Sequence, residues 1–317
     1  MKQGETSTKC AGIDVGKRRL DVAIHGEGER FDLANEAGAF GELVVWLRAR
    51  GVSRVGMEAT GGYERAVRRS LEAAGFEVVV HQPLEVKLFA RLKRLRAKND
   101  RIDAALIAAA TAQVDTIRAA ADPRLQALAE RLTAYEQVSD QLAELKTFME
   151  HVTLKDLARR MGAALRSLAS LKAALAKEAQ GLIQGHADLR ERYQLLLSLP
   201  GVGPIVAMSL IVRMPELGRM RRGQAASLLG VAPFDRDSGQ LKGRRFIGGG
   251  RRRPRRLVYL AALAAKRSDP SIKAFARGLS DRGKPAMVIN VAIMRRLIEA
   301  ANLVLARGQP WDRHAPA

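Results

Sequence analysis

Five short β-like runs near the N-terminus leave few folds open to this chain. Between Cys10 and about Val114, the runs AGIDV, LDVAIHG and ERFDLAN follow one another across tight turns, whereas SRVGMEA and EVVVH are set apart by helical stretches. The order reads as three strands of a meander, then helix, strand, helix, strand, helix. A strand that arrives by a crossover helix can insert beside the first strand as its parallel neighbour, so the expected product is a mixed α/β sheet.

That plan is the one used by ribonuclease H-like domains, and it gives particular acids a place. Asp14 ends the first apolar strand and Glu58 ends the fourth. If those strands lie side by side and parallel, both carboxylates stand at matching C-terminal ends. Asp100 and Asp103, in KNDRIDA, are one helical turn apart and share a helix face.

Taken singly, each acid has an ordinary reading: Asp14 shapes a turn, Glu58 is a solvated strand end, Asp100 caps a helix and Asp103 lies in its first turn. Taken together at fitting places in one topology, they favour a cation that offsets their mutual repulsion. Hard oxygen donors select Mg²⁺ or Mn²⁺, and a pair of such ions serves phosphodiester chemistry. Cys10 is the only cysteine and the five histidines lie far apart, so a catalytic metal is expected on oxygen ligands.

Charge points to the partner. The 317 residues include 54 Lys plus Arg against 33 Asp plus Glu, a formal net charge of +21, which calls for a polyanion. Apolar runs such as that from Pro204 to Val212 are too short to span a bilayer, and MKQGETSTKC lacks a secretory apolar stretch. A cytoplasmic, DNA-associated protein of a prokaryote is expected, with no membrane partner.

The middle of the chain is helical. From Arg124 to about Val152, apolar residues including Leu125, Leu128, Leu132, Tyr135, Val138 and Leu142 recur at intervals of three and four. A second run from Leu154 to about Gln180 carries Leu165, Leu168, Leu171 and Leu175, with Gly162 as a possible interruption. Packing on its own chain and an intermolecular coiled coil both remain open for this coiled-coil-like pair. The expected organisation is a flexible N-terminus (1–9), an α/β domain (10–120), a helical arm (121–190) and a mostly α-helical, basic C-terminal module (191–317) ending in a helix from about Met287 to Ala306.

Two features of that last module suit nucleic acid. LLLSLPGVGPIVA places Gly201 and Gly203 between two helices, like the hairpin of a helix-hairpin-helix motif, where exposed amides can meet a phosphate; a plain packing corner is the alternative. From Lys242 to Arg256, KGRRFIGGGRRRPRR holds eight basic residues and no acid: Lys242, Arg244, Arg245, Arg251, Arg252, Arg253, Arg255 and Arg256. Binding through them should weaken steeply with salt.

Ser238 precedes Gly239 in FDRDSGQ, which on composition alone is an ordinary Ser-Gly turn. A serine nucleophile would need activation by metal or base, and no histidine is near in sequence. Tyr63 and Tyr259 sit in no motif that demands a nucleophile and read as aromatic packing.

GIDVGKRRLDVAI, MEATGGYE, AKNDRIDA, LPGVGPIVA and GVAPFDRDSGQLKGRRFIGGGRRRPRRLVYLAALAAKR resemble, in order, the motifs of insertion-sequence transposases of the IS-one-ten family, including its IS-eleven-eleven branch. The resemblance implies a RuvC-like DEDD domain with metal ligands at Asp14, Glu58, Asp100 and Asp103, and a C-terminal transposase domain with a nucleophilic serine at Ser238. It further implies a recombinase guided by a non-coding bridge RNA that pairs with donor and target DNA. A phosphoserine intermediate and composite sites across a dimer of dimers, a tetramer, also follow from it. Asn99 departs from the family's usual Thr between intact acids.

Two other readings share these residues. A Holliday-junction-type nuclease would use the same carboxylates with water as the attacking group and leave Ser238 idle, and in a nucleic-acid-binding protein without catalysis the acidic cluster would be structural.

Overall fold

The computed structural model describes residues 8–93, 100–115, 122–234 and 245–312, with the backbone alone at 100–102 and 123. The chain forms two compact units, Met1–Ala120 and Ala121–Ala317.

In the first unit, β1 (Cys10–Val15), β2 (Arg19–Ile24) and β3 (Arg30–Ala34) form the meander, followed by α1 (Phe40–Ala49), β4 (Arg54–Glu58), α2 (Glu64–Ala73) and β5 (Glu77–His81). The sheet order is β3-β2-β1-β4-β5. β1 pairs antiparallel with β2 but parallel with β4, and β4 is parallel to β5. This is the expected ribonuclease H-like mixed sheet.

Alternation along the strands separates its faces. Ala11, Ile13 and Val15 share one buried core with Leu20, Val22, Val55 and Met57, closed by Leu43 and Leu47 of α1 and Val67 and Leu71 of α2. Each of the Val, Leu, Ile and Met side chains among them stabilises the fold by roughly 1.5–3 kcal/mol relative to exposure. The other positions, Gly12, Asp14, Gly56 and Glu58, face the opposite side.

That side is covered by α4 (Asp100–Thr111) with α3 (Pro83–Leu92) packed on it, two helices where the sequence suggested one. α3 begins with a capping box in which Gln82 and Glu85 satisfy each other's backbone amides, and Pro83 fills the first turn. α4 follows, and Ile107 and Leu106 pack on Val86 and Phe89 of α3.

The second unit opens with the helices α5 (Pro123–Met149) and α6 (Lys155–Gln184), which pack along each other. α5 starts where Asp122 accepts from the Arg124 amide ahead of Pro123, and α6 runs unbroken through Gly162. Next come α7 (Ala187–Leu197), α8 (Pro204–Arg213), α9 (Gln224–Leu229), the two-residue strands β6 (Pro233–Phe234) and β7 (Phe246–Ile247), α10 (Arg252–Ser268), α11 (Pro270–Asp281) and α12 (Ala286–Arg307). The β6–β7 pair is too short to leave a sequence signature.

One core joins all of these helices. Leu128 and Leu132 of α5 and Ala179 and Ile183 of α6 are buried with Tyr193, Leu210, Val258, Ile272, Ile293 and Leu297. The base of the arm thus packs on its own chain, and no break in the core falls between 190 and 191. Farther out, Phe148, Leu154 and Leu171 are exposed. Among the described residues no helix is long and apolar enough to cross a membrane.

Candidate active site and nucleic-acid interface

Parallel pairing of Ile13 with Met57 puts the next residues, Asp14 and Glu58, side by side at the C-terminal ends of β1 and β4. Both side chains take the face opposite the apolar core and are partly accessible. The helix over that face is set by glycines: Gly12 lies against Ala104 and Ala108, and Gly56 against Thr111. The Arg54 guanidinium, at the start of β4, donates to the Val114 carbonyl at 2.7 Å. Residue numbers along α4 therefore fall as those along β4 rise. α4 runs against the strands, and its first turn, with Asp100 and Asp103, is directed to the end where Asp14 and Glu58 stand.

The Asp100 side chain lies outside the described residues. Among those described, no three His, Cys, Asp or Glu side chains are grouped closely enough to hold a metal ion. The donor chemistry of Asp14, Glu58 and Asp103 nevertheless suits a hard divalent cation, since every donor is a carboxylate oxygen.

Register adds residues that sequence reading missed. Asp21 is the cross-strand partner of Asp14, so a second acid shares its face, with Arg19 bridging Asp21 and Asp32 at 3.2 Å each. His81 is the partner of Glu58 on β5. The Thr111 hydroxyl donates to the Ile107 carbonyl at 2.7 Å, so its oxygen accepts from His81 Nε2, 2.9 Å away. Burial pushes the His81 imidazole below its ordinary pKa, partly opposed by Glu85, and favours the neutral ring. Asn35 spans the loops after both acid-bearing strands, donating to the Gly16 carbonyl at 2.9 Å and the Tyr63 carbonyl at 3.2 Å. Glu64 fixes the second loop by accepting from the amides of Thr60 and Gly62.

In the second unit, several expected nucleic-acid contacts have partners within the chain. Arg251 forms a bidentate pair with Glu216 at 2.6 and 2.7 Å. Arg253 and Arg213 share Glu136, at 2.6 and 2.8 Å, and Arg256 meets Asp140 at 2.9 Å. Arg255 donates to the Gly249 carbonyl at 2.9 Å. Arg245 is exposed ahead of β7, and Arg252 is exposed with no side-chain partner among the described residues. These pairs have a local cause. Cations crowd the N-terminus of α10, where the helix dipole disfavours them, and Glu216 together with Glu136 and Asp140 of α5 offsets the cost.

The glycines divide in the same way. Gly201 has a positive φ of 73°, and a β-carbon there would collide with the Ala261 carbonyl and Ala265 amide of α10, so close packing by itself already requires a glycine at this position. Gly203 caps α8 with open space beside it. Gly250 is pressed against Gly230, whereas Gly249 is open. Tyr63 is exposed and Tyr259 packs on the helical core.

Two family models match the chain: one of the DEDD type of IS110, described as Transposase, over residues 11–158, and Transposase IS116/IS110/IS902 family over residues 193–277. The chain belongs to the IS110 transposase family. It is a DNA-acting enzyme of the transposase and recombinase type. Pilin gene-inverting proteins of Moraxella bovis and Moraxella lacunata are each 24% identical to this transposase over 316 residues, covering 95% of this chain and 97% of theirs. Among solved structures, Thermus thermophilus RuvC in complex with a Holliday junction substrate matches at 15% identity and a TM-score of 0.28, covering 32% of this chain and 91% of its own. A second Thermus thermophilus RuvC structure matches at 18% identity and a TM-score of 0.26, over 35% of this chain and 98% of its own. In this transposase Ser238, Lys242 and Arg244 lie outside the described residues.

Proposed function

We propose that this transposase cuts and rejoins DNA by metal-assisted phosphoryl transfer, with Asp14, Glu58, Asp100 and Asp103 as the metal ligands and Ser238 as the nucleophile. The observation that carries the reading is the pairing of Asp14 with Glu58 at adjacent parallel strand ends, with the first turn of α4 directed to the same end. Mg²⁺ or Mn²⁺ bound there supplies charge stabilisation at the scissile phosphate. Asn35 holds the two acid-bearing loops in place.

In the proposed reaction the Ser238 hydroxyl gives up its proton and its oxygen bonds phosphorus. The bond from phosphorus to the leaving strand's oxygen breaks, and that oxygen takes a proton. The phosphoserine ester keeps the energy needed to rejoin the strand without ATP. Arg245 and Arg252, with Lys242 and Arg244, contribute cationic contacts to the backbone of DNA and of a bridge RNA, whose pairing selects donor and target sites. Exposed Phe148, Leu154 and Leu171 on the arm suit assembly into dimers and a dimer of dimers.

The test is a cleavage assay with the guide RNA from the flanking DNA, read by denaturing electrophoresis for a protein–DNA adduct. Wild type should form an adduct that Ser238→Ala abolishes. Cleavage without an adduct in wild type would favour attack by water, as in a Holliday-junction nuclease. Nucleic-acid binding without Mg²⁺-dependent cleavage would leave a binding protein.

A further inference from the structure

We infer that the corner between α10 and α11 is a second, separate contact for a nucleic-acid backbone. A groove of about 540 Å³ opens there, lined by Leu263, Lys266, Arg267 and Lys273. Three of its four lining residues are cations, and none of the three has an ion pair or side-chain hydrogen bond among the described residues. This contrasts with Arg251, Arg253 and Arg256, whose charges acids of the chain already meet. Three described cations of the denser cluster are thus already matched by acids, whereas the three of the sparser cluster are available to phosphate.

Folding accounts for two of these charges but not for the third. Lys266 and Arg267 lie in the last turn of α10, where the helix dipole welcomes them. Lys273 lies one turn into α11, whose N-terminal end disfavours a cation, so its position gains from an anion brought from outside. The acid at the corner, Asp269, is 2% exposed and caps α11, accepting from the Ser271 and Ile272 amides at 3.0 Å each. It is buried and does not line the groove.

The floor suits the same occupant. Leu263 lines it, and Leu260, one helical turn earlier, is 54% exposed, giving an apolar surface beside the charges for the sugar edge of a strand. A phosphodiester chain presents this alternation of anionic phosphate and less polar sugar, and contacts of this kind fix a strand without reading its bases. The inference rests on the reading that this transposase holds nucleic acid, and adds a place where it does so.

The test compares the full-length protein with the triple variant Lys266→Ala, Arg267→Ala, Lys273→Ala and with the exchange variant Lys266→Arg, Arg267→Lys, Lys273→Arg. Fluorescence anisotropy would follow binding to a mixed-sequence DNA duplex and to a single-stranded RNA of equal length across a salt series. On duplex, the triple variant should lose about 2–3 units of the slope of log affinity against log salt, so that its affinity falls about 40-fold less than wild type's between about 50 and 200 mM salt. The exchange variant should keep the wild-type slope. A change confined to one probe assigns the groove to that nucleic acid. Unchanged slopes on both probes, with wild type binding normally, would overturn the inference and leave the proposed function standing. Failure of wild type to bind either probe would overturn both.

Discussion

Gly12 of β1 and Ala108 of α4 meet backbone to backbone, so closely that a β-carbon on Gly12 would overlap the Ala108 amide nitrogen. Gly56 lies equally close to the side chain of Thr111. These contacts set the depth at which α4 lies on the sheet, and with it the distance of Asp103 from Asp14 and Glu58. Gly12→Ala should cost about 1–3 kcal/mol through overpacking and reduce cleavage further than the stability loss explains. Gly162→Ala, in a helix with room for the methyl, should instead gain about 0.5–1 kcal/mol. Urea midpoints of the two variants, measured with cleavage rates, check the contrast.

Asn35 links the loops after β1 and β4 through the carbonyls of Gly16 and Tyr63. Asn35→Asp keeps the size but loses both donors, so the loops should loosen while the buried core is untouched. Cleavage should fall by about tenfold or more for a loss of about 1.4 kcal/mol in positioning, with a melting temperature close to that of wild type. Equal rates for Asn35→Asp and wild type would remove Asn35 from the site.

The sheet was legible because it is local in pattern. Alternating apolar residues mark each strand, and the crossover order alone puts β4 beside β1, which is why Asp14 and Glu58 could be paired before any coordinates. Asp21, His81 and Asn35 were not legible, since their roles come from cross-strand register and loop contacts between distant segments. Counting arginines could not tell which are matched. Glu136 and Asp140 lie more than a hundred residues before Arg253 and Arg256, and only folding brings them together. At Gly201 a packing corner and a nucleic-acid hairpin call for the same residues, so the sequence alone does not separate them.

His81 should make the first unit sensitive to acid. Burial holds its pKa below the ordinary value of 6.5, so below that value the unfolded chain binds a proton that the folded one refuses. Stability present above the ordinary value is then lost as pH falls through the lower, folded value. The melting temperature should drop between about pH 7 and pH 5 in wild type, and drop less in His81→Gln, whose amide can still donate to Thr111. Parallel curves for the two proteins would count against it.

Glu136 is 11% exposed in its side chain and serves both Arg213 and Arg253. Burial lowers the pKa of Arg213, against the pull of Glu136. Glu136→Gln should cost about 1–3 kcal/mol, because a charged partner is lost to two guanidinium groups at once. Chemical denaturation would read the loss, and a midpoint within error of wild type would show that solvent screens the pair.

The most direct test is a Mn²⁺ titration followed by electron paramagnetic resonance, comparing wild type with Asp14→Asn and Glu58→Gln. If carboxylates at the strand ends hold the ion, wild type should remove free Mn²⁺ from solution, each variant should bind it far more weakly, and Mg²⁺ should compete. Retention of Mn²⁺ by both variants at wild-type strength would contradict a metal site at Asp14 and Glu58.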